Sequence, residues 1–412
     1  MDLALRARRL DEADPLAALY DRFHHPAGTL YFDGNSLGLL SRDAERTLMH
    51  ALDEWRSLGV RGWHDGNPPW LEYGERLGAR VAALVGAAPD QVVVTGSTTL
   101  NLHHLVAGFY RPNGERHVIV ADPLNFPSDL YAIRGQIVLR GLDPASSLRI
   151  VASRDGRRIA EEDVEAALGP DVALVVLPAV LYRSGQWLDL PRLTRAAHRA
   201  GALIAWDLSH AIGAVPIPLD EAEADLAFWC HYKYLNAGPG AIGGLYVNRR
   251  HRDRIPAFPG WWGQTPEQRF EMAADFAPAA GAAAWQIGTL PILAAAPLWG
   301  ALDVVEEAGL ERIREKSVAL TSFLIDCVDA LLPERGGKAR LGTPRDATRR
   351  GGHVAVEILQ RAARVQDALQ ERGIITDFRP PDVIRFTPSP LTSRFEEVFG
   401  AIAVLAEILN EG

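Results

Sequence analysis

Sulfur is scarce in this chain: 412 residues include two cysteines, Cys230 and Cys327, and three methionines. Two cysteines build no disulfide framework, which points to a reducing, cytoplasmic setting. Basic charge is also in deficit. Forty-three Lys and Arg face 52 Asp and Glu, a formal net charge of −9. With no basic block, the chain is not expected to bind nucleic acid or an anionic membrane, although local arginines can still hold a small anion. Long apolar runs are missing too. The longest, Val172 to Tyr182, is far too short for a membrane span and contains Pro178. The first residues, Met1 to Asp14, mix charges of both signs and do not resemble a signal peptide. No metal ligand set is assigned.

What is present is an ordinary globular composition, 48% hydrophobic and 23% charged, in a length that favours two or three domains. Apolar strand candidates recur at Gln91–Thr95, His117–Ala121, Leu148–Val151, Ala173–Leu177, Leu203–Trp206 and Leu226–Trp229. Helical stretches such as Glu161–Leu168 and Leu193–Ala200 separate many of them. That alternation predicts an α/β fold with a mainly parallel sheet covered on both faces. A Pro-, Gly- and Trp-rich loop spans Phe258–Phe276, and helices are expected over Leu290–Ala308 and Ile313–Leu332. Strands (Gly352–Ile358, Val383–Thr387) and helices then mix in a small α+β domain. The expected division is an N-terminal segment, 1–45, packing with the small domain; a large domain, 46–295; and the small domain, 296–412.

The chemistry concentrates where Trp206-Asp207-Leu208-Ser209-His210 closes one strand and Tyr232-Lys233-Tyr234 follows the next. Open α/β sheets bind ligands beyond the carboxyl ends of their strands. A carboxylate there can keep a pyridine nitrogen protonated, and a desolvated lysine can form an imine with an aldehyde; pyridoxal phosphate needs both. Alone, Asp207 reads equally well as a loop carboxylate, and Lys233 as a solvated surface lysine. Their pairing at consecutive strand ends changes that. The glycines of Leu235-Asn236-Ala237-Gly238-Pro239-Gly240 are expected to let backbone pass close to the cofactor. A phosphate cradle is expected at Gly96-Ser97-Thr98-Thr99, where a strand turns into a helix, though a plain Ser/Thr N-cap looks the same. Phe126, in Asn125-Phe126-Pro127-Ser128-Asp129, is placed to stack on a ring.

Together with these, Tyr31-Phe32-Asp33-Gly34-Asn35-Ser36-Leu37-Gly38-Leu39, Gly260-Trp261-Trp262-Gly263, Gly288-Thr289 and Pro381-Asp382-Val383-Ile384-Arg385-Phe386 resemble kynureninase, in order and spacing, over nearly the whole chain. The resemblance implies a pyridoxal-phosphate-dependent transferase fold of type I, the aspartate aminotransferase fold. It implies that Lys233 carries the imine, Asp207 pairs with the ring nitrogen and His210 supports it. Thr98, Thr99, Ser128, Asp129 and Tyr232 would surround the phosphate, with Phe126 on the ring. Trp261 and Thr289 would reach the cofactor of a partner subunit, which implies a homodimer. Arg385 would grip the substrate's α-carboxylate, and Asn35, Ser36 and Trp63 would lie near its aryl ketone. Lys233 and Tyr232 would be the catalytic pair.

The implied reaction is hydrolysis of L-kynurenine, or its 3-hydroxy form, to an anthranilate and L-alanine. Five positions depart from the family pattern: Pro178, Leu181, His231, Gln264 and Leu290. These sit on the substrate side of the expected site, so the alternative is a related lyase or aminotransferase acting on another amino acid.

Overall fold

In the computed structural model, which describes residues 2–332 and 339–411, aliphatic side chains fill both faces of a central sheet. Strand β1 (Leu30–Tyr31) stands apart from it. The seven strands of the sheet are β2 (Val92–Val94), β3 (Val118–Ala121), β4 (Leu148–Ile150), β5 (Val172–Pro178), β6 (Leu203–Asp207), β7 (Leu226–Cys230) and β8 (Gly243–Val247). Their order is β2-β8-β7-β6-β5-β3-β4. Strands β3 to β7 run parallel to their neighbours, and β8 inserts antiparallel between β7 and β2. The continuous burial of β2, β3 and β7 is what a sheet sandwiched between helices requires.

Strand β8 was not among the strands expected from sequence, because its glycines read as part of a loop. They are there for packing: a Cβ on Gly244 would overlap the indole of Trp229 in the adjacent strand. Gly238 and Gly240 also differ from expectation. They adopt φ +91° and +71° with open space around them, and they do not line the cavity that holds Lys233.

The smaller body is an antiparallel sheet of β9 (Ala339–Leu341), β10 (Val354–Ile358), β12 (Asp377–Arg379) and β13 (Val383–Phe386), in the order β12-β13-β10-β9. Strand β11 (Ile374–Ile375) instead pairs in parallel with β1 and ties the N-terminal segment to this body. The helix Leu3–Glu12 also packs here, inserting Ala7 into the core formed by the helices Leu310–Leu331 and Phe395–Glu411.

The two cores meet later in the chain than position 296. Helix Ile292–Ala308 lies in the larger core against helix Arg42–Leu58, where Gly300 lets it close onto the backbone of Asp43. Helix Leu310–Leu331 starts in the larger core at Ile313 and enters the smaller one from Leu320. The N-terminal segment divides likewise: Leu16, Leu19 and Phe23 belong to the larger core.

Candidate active site

The carboxyl ends of β6 and β7 deliver Asp207 and, three residues past Cys230, Lys233 to one cavity of about 180 Å³. It is lined by Asn35, Ser36, Thr98, Thr99, Phe126, Ser128, Asp129, Asp207, Ser209, His210, Tyr232, Lys233 and Arg379. The structure thus gathers eleven residues singled out from sequence. Their sources are five separate segments, and local rules explain how each arrives.

At the end of β2, Gly96 takes φ +57° and opens helix Thr98–Phe109. Asn101 ties the turn down by donating to the Thr95 carbonyl at 2.8 Å. The second helix, Pro127–Leu139, starts with proline at its first position, directly after Phe126. Two helix starts therefore converge. The Thr99 and Ser128 hydroxyls stand 2.5 Å apart, which leaves hydroxyls and free backbone N–H groups facing the cavity.

Opposite lies a group of buried carboxyls. Asp207 accepts from the Ser209 backbone N–H at 2.8 Å; burial raises its pKa, while the Lys233 charge opposes the rise. Asp129 packs beside it and is pushed well above the carboxylate range by burial and by the charge of Asp207. Burial thus raises both carboxyls, while the Lys233 charge favours the ionised form of each. Asp122, below, is pushed up to about 7 by burial.

Lys233 Nζ lies 2.8 Å from His210 Nε2 and 6.0 Å from the ring centres of Phe126 and Tyr232. Burial, then the Lys233 charge, holds His210 well below its usual pKa, so the imidazole is neutral. Burial pushes the Tyr232 phenol up, which keeps its proton in place. The segment 33–38 is drawn over this floor. Gly38 donates to the Tyr232 carbonyl at 2.7 Å, and a Cβ there would run into the backbone of Lys233 and Asn236. Asn236, at φ +57°, donates to the Leu39 carbonyl at 3.0 Å. These contacts are the physical content of the Asn35-Ser36-Leu37-Gly38 and Tyr232-Lys233-Tyr234-Leu235-Asn236 motifs.

Four expected residues lie elsewhere. Arg385 is 1% exposed and stands just behind the wall: it pairs with Asp377 and donates to the Tyr182 carbonyl at 2.7 Å and to Ser36 Oγ at 3.3 Å. Arg379, which the sequence reading missed, is the arginine that lines the cavity, and it shares Asp377 at 2.9 Å. Its signal was the hairpin Asp377-Phe378-Arg379-Pro380-Pro381, which puts Asp377 opposite Arg385 in register. Ser209 was also missed. Trp63 packs edge-on against Trp70 and Trp262 and does not line the cavity. Trp261, 44% exposed, and Thr289, also exposed, do not line it either.

None of the five departures from the family pattern lines the cavity. His231 is fully buried, accepting from Trp229 at 2.8 Å and donating to the Ile242 carbonyl at 2.6 Å. Gln264 holds its own loop by accepting from the Ala277 N–H at 2.6 Å. Pro178 ends β5 beside Asp207, and Leu181 and Leu290 are buried apolar residues.

The donor set fits pyridoxal phosphate. Two helix starts with hydroxyls suit its phosphate, Asp207 suits its ring nitrogen, and Lys233 has an amine free of carboxylate partners among the described residues. Fold and site together define a fold-type I pyridoxal phosphate enzyme. Similarity to known proteins agrees. Residues 313–405 match the family model of the kynureninase C-terminal domain. Kynureninase of Geobacillus thermodenitrificans is 48% identical over 405 residues, covering 98% of this chain and 94% of that one. Kynureninase of Bacillus anthracis is 45% identical over the same coverage. The chain belongs to the kynureninase family. Among solved structures, a C-DES variant with glycine covalently linked to its cofactor superposes with TM-score 0.81 at 20% identity, covering 94% of this chain and 98% of that one. A cysteine desulfurase from Thermococcus onnurineus superposes with TM-score 0.78 at 19% identity, covering 93% and 95%. These two share the fold.

Proposed function

We propose that the protein hydrolyses L-kynurenine, or its 3-hydroxy form, to the corresponding anthranilate and L-alanine. The observation that carries this reading is the Lys233 amine held 2.8 Å from a neutral histidine, above a buried carboxylate, in a chain 48% identical to a kynureninase. Pyridoxal phosphate supplies the electron sink that makes the substrate's α C–H and β–γ C–C bonds breakable. The protein does the rest. Thr98, Thr99 and Ser128 would hold the cofactor's phosphate, and the carboxylate of Asp207 would keep its ring nitrogen protonated. Lys233 would accept the substrate's α-proton, with the neutral His210 beside it. Tyr232, whose proton burial holds in place, donates to the carbon or oxygen left by bond cleavage.

Arg385 and Arg379 set the substrate's carboxylate. Their positive charges lie side by side around Asp377, which neutralises only one of them. A homodimer completes the site in this reading. Trp261 is exposed edge-on against Phe270, itself 52% exposed, an aromatic pair suited to covering by a second copy. Two free, buried cysteines and a net charge of −9 support a cytoplasmic protein without a nucleic-acid partner. Their burial also argues against desulfurase chemistry, which needs an accessible thiolate, and burial pushes the Cys230 thiol up.

The test is to mix the purified, cofactor-loaded protein with L-kynurenine, follow anthranilate fluorescence and quantify alanine. Equimolar products are expected. Cofactor changes with other amino acids and no product from kynurenine would point to the alternative substrate class.

A further inference from the structure

His353, which precedes β10 in the smaller body, is fully buried and reaches across to the lysine side of the cavity. Its ring meets that of His210 edge-on, with centroids 5.8 Å apart at 62°. Its Nδ1 lies 3.4 Å from the hydroxyl of Tyr234, the neighbour of Lys233. The place for it is cut out of the backbone on two sides. Gly352 lies against the Tyr234 ring, 2.9 Å from where a Cβ would be. Gly185, at φ +73°, would bring a Cβ within 2.9 Å of the His353 carbonyl.

His210 needs such a neighbour. A catalytic imidazole usually has its orientation and tautomer set by a hydrogen bond from its second ring nitrogen. His210 faces Lys233 with Nε2, and its Nδ1 has no hydrogen-bond partner among the described residues. Apart from that contact with Lys233, the ring is held by packing. The Tyr182 ring lies with centroids 6.5 Å apart and the His353 ring with centroids 5.8 Å apart.

We propose that His353 is a positioning residue: wedged edge-on against His210, it fixes the imidazole so that Nε2 faces the Lys233 amine while that amine takes the substrate's α-proton. In that step the α C–H bond breaks, the proton goes to the Nζ lone pair, and the bonding electrons stay with the substrate carbon. A turned His210 ring would present a carbon edge to Nζ and leave the amine unsupported. The arrangement also gives the smaller body a direct hold on the lysine, since His353 immediately precedes β10 and Arg385 lies in the adjacent β13. The charges of Arg385 and Lys233 add to burial in keeping His353 neutral, so two neutral rings meet without repulsion.

This inference rests on the function proposed above, and the product L-alanine tests the two separately. In heavy water, the cofactor-loaded enzyme should exchange the α-proton of L-alanine for deuterium, read by proton NMR. His353→Leu fills the volume but offers no flat polar edge; His353→Gln keeps a planar polar group. With Leu, exchange at saturating alanine should fall about tenfold, with half-saturation within about twofold of the parent. The pH at which the bound cofactor's visible absorbance changes should shift as well. With Gln, exchange should return to within about threefold of the parent. Leu exchanging like the parent, or Leu and Gln equally impaired, would overturn the role of His353 alone. A parent that cannot exchange alanine would overturn this role together with the proposed function.

Discussion

The two walls of the cavity are built to different standards. The cofactor wall comes from strand ends and helix starts of the larger body, and several of its polar groups are held by a neighbour in the same body. Asp207 has Ser209 and Asp129, Thr99 has Ser128, and Asn101 locks the turn beneath Thr98. The substrate wall is assembled from the segment 33–38 and the smaller body. Its arginines hang on one shared carboxylate. A rigid sheet can specify where charge sits to within tenths of an ångström. A wall shared between two bodies and, in the proposed dimer, two chains can adjust to the amino acid it receives. The clustering of family departures outside the cavity fits this division, because His231 and Gln264 alter packing and leave the reacting groups untouched.

That contrast is open to attack from both sides. The largest effect should come from the cofactor wall: Lys233→Ala is expected to lower kcat by more than about 10⁴-fold with circular dichroism unchanged. A variant still turning over within tenfold of the parent would remove Lys233 from the chemistry. Asp207→Asn comes next, with kcat down roughly 10²- to 10³-fold and KM nearly constant, because the charge under the ring matters most in the transition state. A change confined to KM would contradict that placement.

On the substrate wall the signature should reverse. Arg385→Gln is expected to raise KM for kynurenine by about a hundredfold, while Asp377 keeps Arg379 as its partner. Arg379→Gln should raise KM only severalfold. A larger effect at Arg379 than at Arg385 would show that the cavity-facing guanidinium, and not the buried one, grips the carboxylate.

The smallest effect concerns stability. Asp122, pushed up to about 7 in the fold, favours the native state while protonated; that contribution is whole below about pH 4 and fades as pH rises through 7. Asp122→Asn should therefore melt above the parent at pH 8, with the gap closing towards pH 4. Parallel melting curves across that range would discount the buried carboxyl.

Much of the cofactor wall was legible because strand periodicity and chemistry coincide there. An apolar run ending in Asp207, and another ending before Lys233, announce both the sheet and the catalytic end of it. The antiparallel β8 was illegible, since Gly243 and Gly244 look like a turn until Trp229 is seen filling the space they leave. Arg379 escaped for a related reason: which arginine of a hairpin faces a cavity depends on register with Asp377 and on the position of a second body. His353 gave no local signal at all.

The residues at strand ends, the missing disulfides and the order of the motifs were fixed by the sequence itself, because local hydrophobic pattern and turn chemistry act over a few residues. Only the tertiary structure decided which carboxyls are pushed up by burial, which arginine stands in the wall, and which ring packs against His210 beside Lys233. Burial and charge between groups far apart in the chain exist only once the two bodies have packed.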